Sequence, residues 1–135
     1  MAFTGNYTCN SFKSGLINGD FDFDADTFKI ALYTNDATLN ADTSAYTSSG
    51  EVSATGYTAG GNSLTVTKGI TGGTAFVSFA DSSWSAAITA RGALIYKDGG
   101  AAVCVLDFGS DKTSTTTFTV DFPTASSTDA LIRLS

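Results

Sequence analysis

The sequence predicts an all-β domain, a β-sandwich of jelly-roll form carrying one short N-terminal helix. Three observations lead there. The charged fraction is only 15%, and Thr, Ser, Ala and Gly fill the gap alongside 10 Phe and 5 Tyr. Aromatic and β-branched residues between small polar ones suit strands joined by turns, whereas a helical bundle wants Leu, Glu and Lys. Short apolar alternations recur from residue 27 onward, punctuated by Gly and Asp, which is the spacing of a sandwich. Only one window has a helical period. The jelly-roll form is drawn by analogy with other sandwiches of about seven strands. At 135 residues the chain has the length of one domain, 1–135. Folding it buries roughly 70% of the unfolded surface, so a core forms without disulfide or metal staples.

The helix falls at Asn10–Asn18. Asn10 or Ser11 can cap it, Phe12 and Leu16 share one face, and Gly19 stops it. From Thr27 to Thr34, Phe28, Ile30 and Leu32 alternate with Lys29, Ala31 and Tyr33, which predicts a half-buried strand. Residues 35–62 follow, polar and weakly patterned, with Tyr46, Val52 and Tyr57 as their only sizeable anchors. A connection of that length in a compact domain is usually functional or else contains short strands that leave no pattern, and we expect a long extended loop or arm that contacts partners.

Strand signals then come quickly: Leu64 and Val66; Ala75, Val77 and Phe79 after Gly72-Gly73; Ile88 to Tyr96; Ala102 to Phe108; Phe118, Val120 and Phe122 before Pro123; and Ala130, Ile132 and Leu134. Asp98-Gly99 predicts a two-residue type I′ hairpin joining the third and fourth of these. The last strand predicts a final segment tied into a sheet.

Charge and residue counts exclude several functions. Thirteen acids against 7 bases leave a net charge of −6, and the bases are scattered along the chain. Nucleic acids and acidic membrane surfaces both demand a basic footprint. No stretch reaches the ~18 apolar residues of a membrane span. The opening Met1-Ala2-Phe3-Thr4-Gly5-Asn6 lacks the basic and apolar regions of a signal peptide, so the chain is expected to stay soluble where it is made. Histidine is absent. That removes the usual general base near neutral pH, and neither a Ser-His-Asp nor a Cys-His constellation can be built. Cys9 and Cys104 are too few for a zinc site and form no disulfide framework. Cys104 lies in an apolar strand pattern and reads as a small core residue, with a Cys9–Cys104 bridge the less favoured arrangement. We therefore expect no enzyme, no cofactor and no metal.

Four features have a functional and a bland reading. Asp20, Asp22, Asp24 and Asp26 alternate as calcium ligands would, but the EF-hand positions for Gly and Glu hold Ala25 and Ala31. The favoured reading puts Phe21 and Phe23 inside an extended segment with the acids in water. Gly56 to Gly61 lacks the Lys and the strand-then-helix context of a phosphate loop and reads as a turn. Arg91, inside an apolar strand, either pairs with a buried acid or reaches solvent. Trp84 is a core anchor before it is an interface residue. With Tyr33, Tyr46 and Tyr57 it completes the set of candidate interface residues.

Three stretches, FKSGLINGDFDFDADTFKIALYT (12–34), EVSATGYTAGGNSL (51–64) and ITARGALIYKDGGAAVCVLDFGSDK (88–112), together resemble small β-rich virion structural proteins of tailed bacteriophages. The resemblance spans most of the chain and implies a non-enzymatic protein of the virion, assembled in the bacterial host cytoplasm. It implies a capsid cement or decoration protein that binds the major capsid protein, other virion proteins or copies of itself as a homo-oligomer. The alternative is a tail or appendage component, including an adhesive carbohydrate-binding module, for which exposed Tyr33, Tyr46 and Tyr57 would be the contact residues. No functional residue carries over, because the group has no catalytic motif. Charge-poor Thr/Ser/Ala-rich β domains also suit assembly on their own account, since burying their surfaces strands few charges.

Overall fold

The computed structural model describes residues 3–135. The first two residues of the opening segment read for a signal peptide lie outside the described residues. The fold is antiparallel β with one short helix. Helix α1 (Asn10–Asn18) occupies the expected span, buries Phe12 and packs Leu16 on the core. It ends at Gly19, whose φ of 82° supports the reciprocal bonds Gly19 N–H to Leu16 O and Asp20 N–H to Gly15 O. Its start differs from expectation. The capping position is Cys9, which makes no side-chain cap. Asn10 instead donates through Nδ2 to Asp42 Oδ1 at 3.0 Å, and through its backbone N–H to Ala41 O at 2.8 Å. A distant segment thus holds the first turn where a local cap was expected.

The main sheet contains β1 (Tyr7–Thr8), β2 (Phe28–Tyr33), β3 (Asn62–Leu64), β7 (Thr89–Lys97) and β8 (Ala102–Thr113), in the order β1-β8-β7-β2-β3. The half-buried reading of β2 is corrected: every residue except Lys29 is buried, on both faces. One face carries Phe28, Ile30 and Leu32, and Phe28 stacks on Phe23 at 4.6 Å. The other carries Ala31 and Tyr33 and is closed by the 35–62 segment. Strand β7 is buried from Ala90 to Tyr96.

The β7–β8 hairpin forms as expected but with a different turn. Lys97 N–H bonds Ala101 O at 2.7 Å and Gly100 N–H bonds Lys97 O at 2.8 Å, which makes a three-residue loop, Asp98-Gly99-Gly100. Positive φ falls on Gly99 and Gly100, and Asp98 does not take it. A second glycine allows the strained angle to move off Asp98.

A three-stranded sheet has the order β10-β5-β4, from β4 (Val66–Thr71), β5 (Thr74–Phe79) and β10 (Ile132–Leu134). The two-residue type I′ geometry occurs here, at Gly72-Gly73, with φ of 57° and 87° between paired Thr71 and Thr74. β6 (Ser82–Trp84) pairs with β9 (Phe118–Val120). Ring contacts tie these smaller sheets to the main one, Phe28 to Phe79 at 6.3 Å and Phe108 to Phe118 at 6.2 Å. The final segment is held by β10 pairing with β5, as expected.

The 35–62 segment contains almost no regular strand, only the single bridges Tyr33–Glu51 and Ala45–Ala101 before β3 begins. It is nevertheless bonded in along its length. Thr34 N–H bonds Gly50 O at 2.8 Å, Val52 N–H bonds Leu32 O at 2.9 Å, Tyr46 N–H bonds Gly100 O at 2.7 Å and Ala102 N–H bonds Ser44 O at 3.0 Å. Ala37, Leu39, Val52 and Tyr57 enter the core. The expected arm is folded against its own domain.

Candidate functional site

Two of the three tyrosines proposed as contact residues, Tyr46 and Tyr57, converge on one carboxylate of their own domain. Glu51, the only Glu in the chain, accepts Tyr46 OH on Oε1 at 2.5 Å. Its Oε2 accepts Tyr57 OH at 2.6 Å and Gly60 N–H at 2.8 Å. Tyr57 OH also accepts Leu32 N–H at 2.9 Å, and Tyr96 OH donates to Gly60 O at 2.6 Å. Tyr33 is fully buried and donates to Thr47 O at 2.6 Å, while Tyr46 stacks on Tyr96 at 4.8 Å. Gly61 passes against β2 so closely that a Cβ would lie 1.7 Å from Ile30 O.

Burial first, then the Glu51 hydrogen bond, pushes Tyr46 up to about 12. Burial and then the Glu51 charge push Tyr96 up to about 12. Tyr33 and Tyr57 rise for related reasons, burial leading in both. Phenols so raised are neutral donors at ordinary pH and serve neither as bases nor as nucleophiles. The cluster is a clamp that fastens 35–62 to β2 and β7.

Tyr33 and Tyr57 are therefore not available to a partner, Tyr46 is half-buried with its hydroxyl spent on Glu51, and Trp84 is in the core beside Tyr57 and Phe118. The premise of exposed tyrosines fails because each hydroxyl found an acceptor at home.

The other candidates resolve similarly. Arg91 is buried, pairs with Asp107 and lies 5.6 Å over the Phe3 ring. Cys9 and Cys104 are free and buried. Burial pushes the Cys9 thiol up to about 11 and Cys104 higher, so neither supplies a thiolate near neutral pH. The Asp20–Asp26 run forms a turn where an extended segment was expected, with Phe21 buried beneath it and Phe23 packed on the core. Asp22 Oδ1 accepts Asp24 N–H at 2.8 Å, Asp26 Oδ2 accepts Asp22 N–H at 2.8 Å, Asp24 pairs with Lys68 at 2.8 Å and Asp26 with Lys97 at 3.3 Å. Among the described residues, no three His, Cys, Asp or Glu side chains are grouped to hold a metal ion.

Two open grooves flank α1. A groove of about 340 Å³ separates α1 from the three-stranded sheet, floored by Phe12, Leu16, Phe76 and Ile132. A second, of about 860 Å³, runs between α1 and residues Leu131 to Ser135. The two share Phe12, Leu16, Ile132 and Leu134 and form one surface. Ile17, Ile70 and Leu134 are 89%, 72% and 56% exposed. They are the only large exposed apolar residues among those described, and all three line these grooves. Lys13, Lys68 and Arg133 line them too, and no Asp or Glu does. Three of seven bases line these grooves, Lys13 and Arg133 on the larger and Lys68, paired with Asp24, on the smaller.

Sequence reasoning missed this surface. Ile70 and Leu134 occupy ordinary alternating strand positions, and nothing local marks them as uncovered. Ile17, on the far side of the helix from Phe12, was the one visible signal.

No protein-family model, curated protein or solved structure matches the chain. Fold and site define a class only: an antiparallel β domain with a clamped interior and one open apolar face edged by cations. No helix among the described residues is long and apolar enough to cross a membrane.

Proposed function

We propose that the chain is a non-enzymatic structural protein of a tailed-bacteriophage particle, attached to the shell as a cement or decoration protein. The observation that carries an assembly role is the collection of Ile17, Ile70 and Leu134 on one groove surface. Exposed apolar patches rimmed by polar residues mark association sites. The phage assignment rests on the resemblance of 12–34, 51–64 and 88–112. We further propose that the five-stranded sheet forms one layer of a jelly-roll-like sandwich and the two smaller sheets the other, supported by the Phe28–Phe79 and Phe108–Phe118 contacts. The adhesive alternative drew on exposed tyrosines and finds no support in their positions. Mass spectrometry of purified particles from the phage that encodes the chain, with antibody-fragment labelling in electron micrographs, tests the assignment. Labelled shells are expected; label confined to tails transfers the chain to the appendage, and particles lacking the chain overturn the reading.

A further inference from the structure

We infer that the groove between α1 and β10 docks an extended acidic segment of a partner protein, which adds as a strand along β10. This rests on the assembly reading above and names the chemistry of the partner.

β10 pairs with β5 on one side, and among the described residues no strand pairs with its other edge. The larger groove is lined by Leu131 to Ser135, by α1, and by Thr8 and Ser127, but by no residue of β4 or β5, which places it along that free edge. A free edge offers unpaired backbone N–H and C=O groups, the template for strand addition. Its floor, Phe12, Leu16 and Ile132, is apolar and receives alternate side chains of an added strand.

Charge selects the occupant. The charged side chains on this groove are Lys13 and Arg133. Lys13 is exposed, and Arg133 is exposed while donating to Thr128 O at 2.5 Å. The surrounding protein carries −6. Twofold pairing of this face with its own copy brings like cations together, whereas Asp or Glu flanking an apolar strand neutralises them. β10 offers three residues, so the added strand needs about three to five.

The test titrates the full chain, labelled for NMR, with three synthetic hexapeptides: alternating Glu and Val, alternating Lys and Val, and the acidic composition in scrambled order. The alternating acidic peptide is expected to shift the amides of residues 12–17 and 131–135, and to bind more weakly as salt is raised. The double variant Lys13→Glu, Arg133→Glu, with an unchanged melting temperature, should lose about tenfold in affinity for the acidic peptide and gain the basic one. Leu16→Ala should weaken both. Equal binding of acidic and basic peptides, or of none, overturns the inference. So does concentration-dependent self-association that protects the same amides, which makes a second copy the occupant. A chain present in particles that fails these titrations loses only its proposed groove ligand; absence from particles with the titrations intact removes only the phage assignment.

Discussion

Two regions of this domain invert the usual relation between regularity and attachment. Residues 35–62 have almost no repetitive structure, yet they are fastened at many points. The hairpin of β4 and β5, residues 66–79, is regular along both strands, yet β4 is exposed from Thr67 to Thr71. The contrast reaches the glycines. A Cβ on Gly61 would meet backbone at 1.7 Å, and one on Gly50 would meet Ala37 at 2.6 Å. A Cβ on Gly72 or Gly73 would meet nothing within 4 Å. The first region is held by individual polar atoms finding individual acceptors. The second is held chiefly by its own ladder: β4 leaves its side chains outside, and only the end of β5, at Ser78 and Phe79, is buried. Hydrogen-bond periodicity and burial are separate properties, and only the second says which surface is free.

The comparison can be broken most severely at Gly61. Gly61→Ala combines a φ of 77° with a backbone collision and should cost more than about 3 kcal/mol, read as a large fall in melting temperature. A loss under 1 kcal/mol would mean that the segment is not seated on β2.

Alkali should strike the same region next. Tyr46 and Tyr96 have folded values near 12 against an ordinary 10. A raised acid holds its proton when folded and releases it more readily when unfolded. The stabilisation is therefore complete below about pH 10 and is lost as pH rises through about 12. Melting temperature should stay level to about pH 10 and then drop, with tyrosinate absorbance at 295 nm rising together with unfolding. The 66–79 hairpin contains no tyrosine and should contribute nothing to the tyrosinate signal.

Glu51→Gln sharpens the picture, because the amide offers one acceptor where two tyrosines and a backbone N–H need more. A loss of about 1–3 kcal/mol is expected, with hydrogen exchange quickening at Val52 and Gly60 before the β7 core. Unchanged exchange there would sink the clamp. On the hairpin the effects should be small: Gly72→Ala costs about 1–2 kcal/mol for its left-handed φ alone. Ile70→Ser stays within about 0.5 kcal/mol, measured by denaturant unfolding.

Legibility in the sequence followed the same division. Helix α1 could be read to its final residue because Gly19 and the Phe12–Leu16 spacing are local signals. β2 was readable as a strand, but its burial on the Tyr33 face was not. That face is covered by chain which carries no pattern of its own. The Glu51 clamp was hidden for the same reason, since its members span 46 to 96 and share no period. A lone Glu among tyrosines was the available hint. β6 was too short to announce itself. The sequence pattern marks Asp98-Gly99 as the two-residue hairpin turn and Gly72-Gly73 only as the punctuation before a strand; the extra Gly100 lengthened the first loop, and the two-residue turn formed at the second. The open groove depends on what the chain fails to cover, which no residue pattern encodes.

Arg91 and its surroundings carry a consequence for the course of folding. Phe3 lies over Arg91, Asn6 Oδ1 receives the Asp107 N–H at 2.6 Å, and Tyr7 pairs with Val105. Asn6 and the residues beside it therefore find their seats on strands that follow as much as 101 residues later in the chain. Pairing at such separation is slow to nucleate, and until β8 arrives Phe3 has no Arg91–Asp107 floor to rest upon. Closure of the main sheet accordingly joins segments far apart in sequence, and Phe3 is covered only once β7 and β8 have paired.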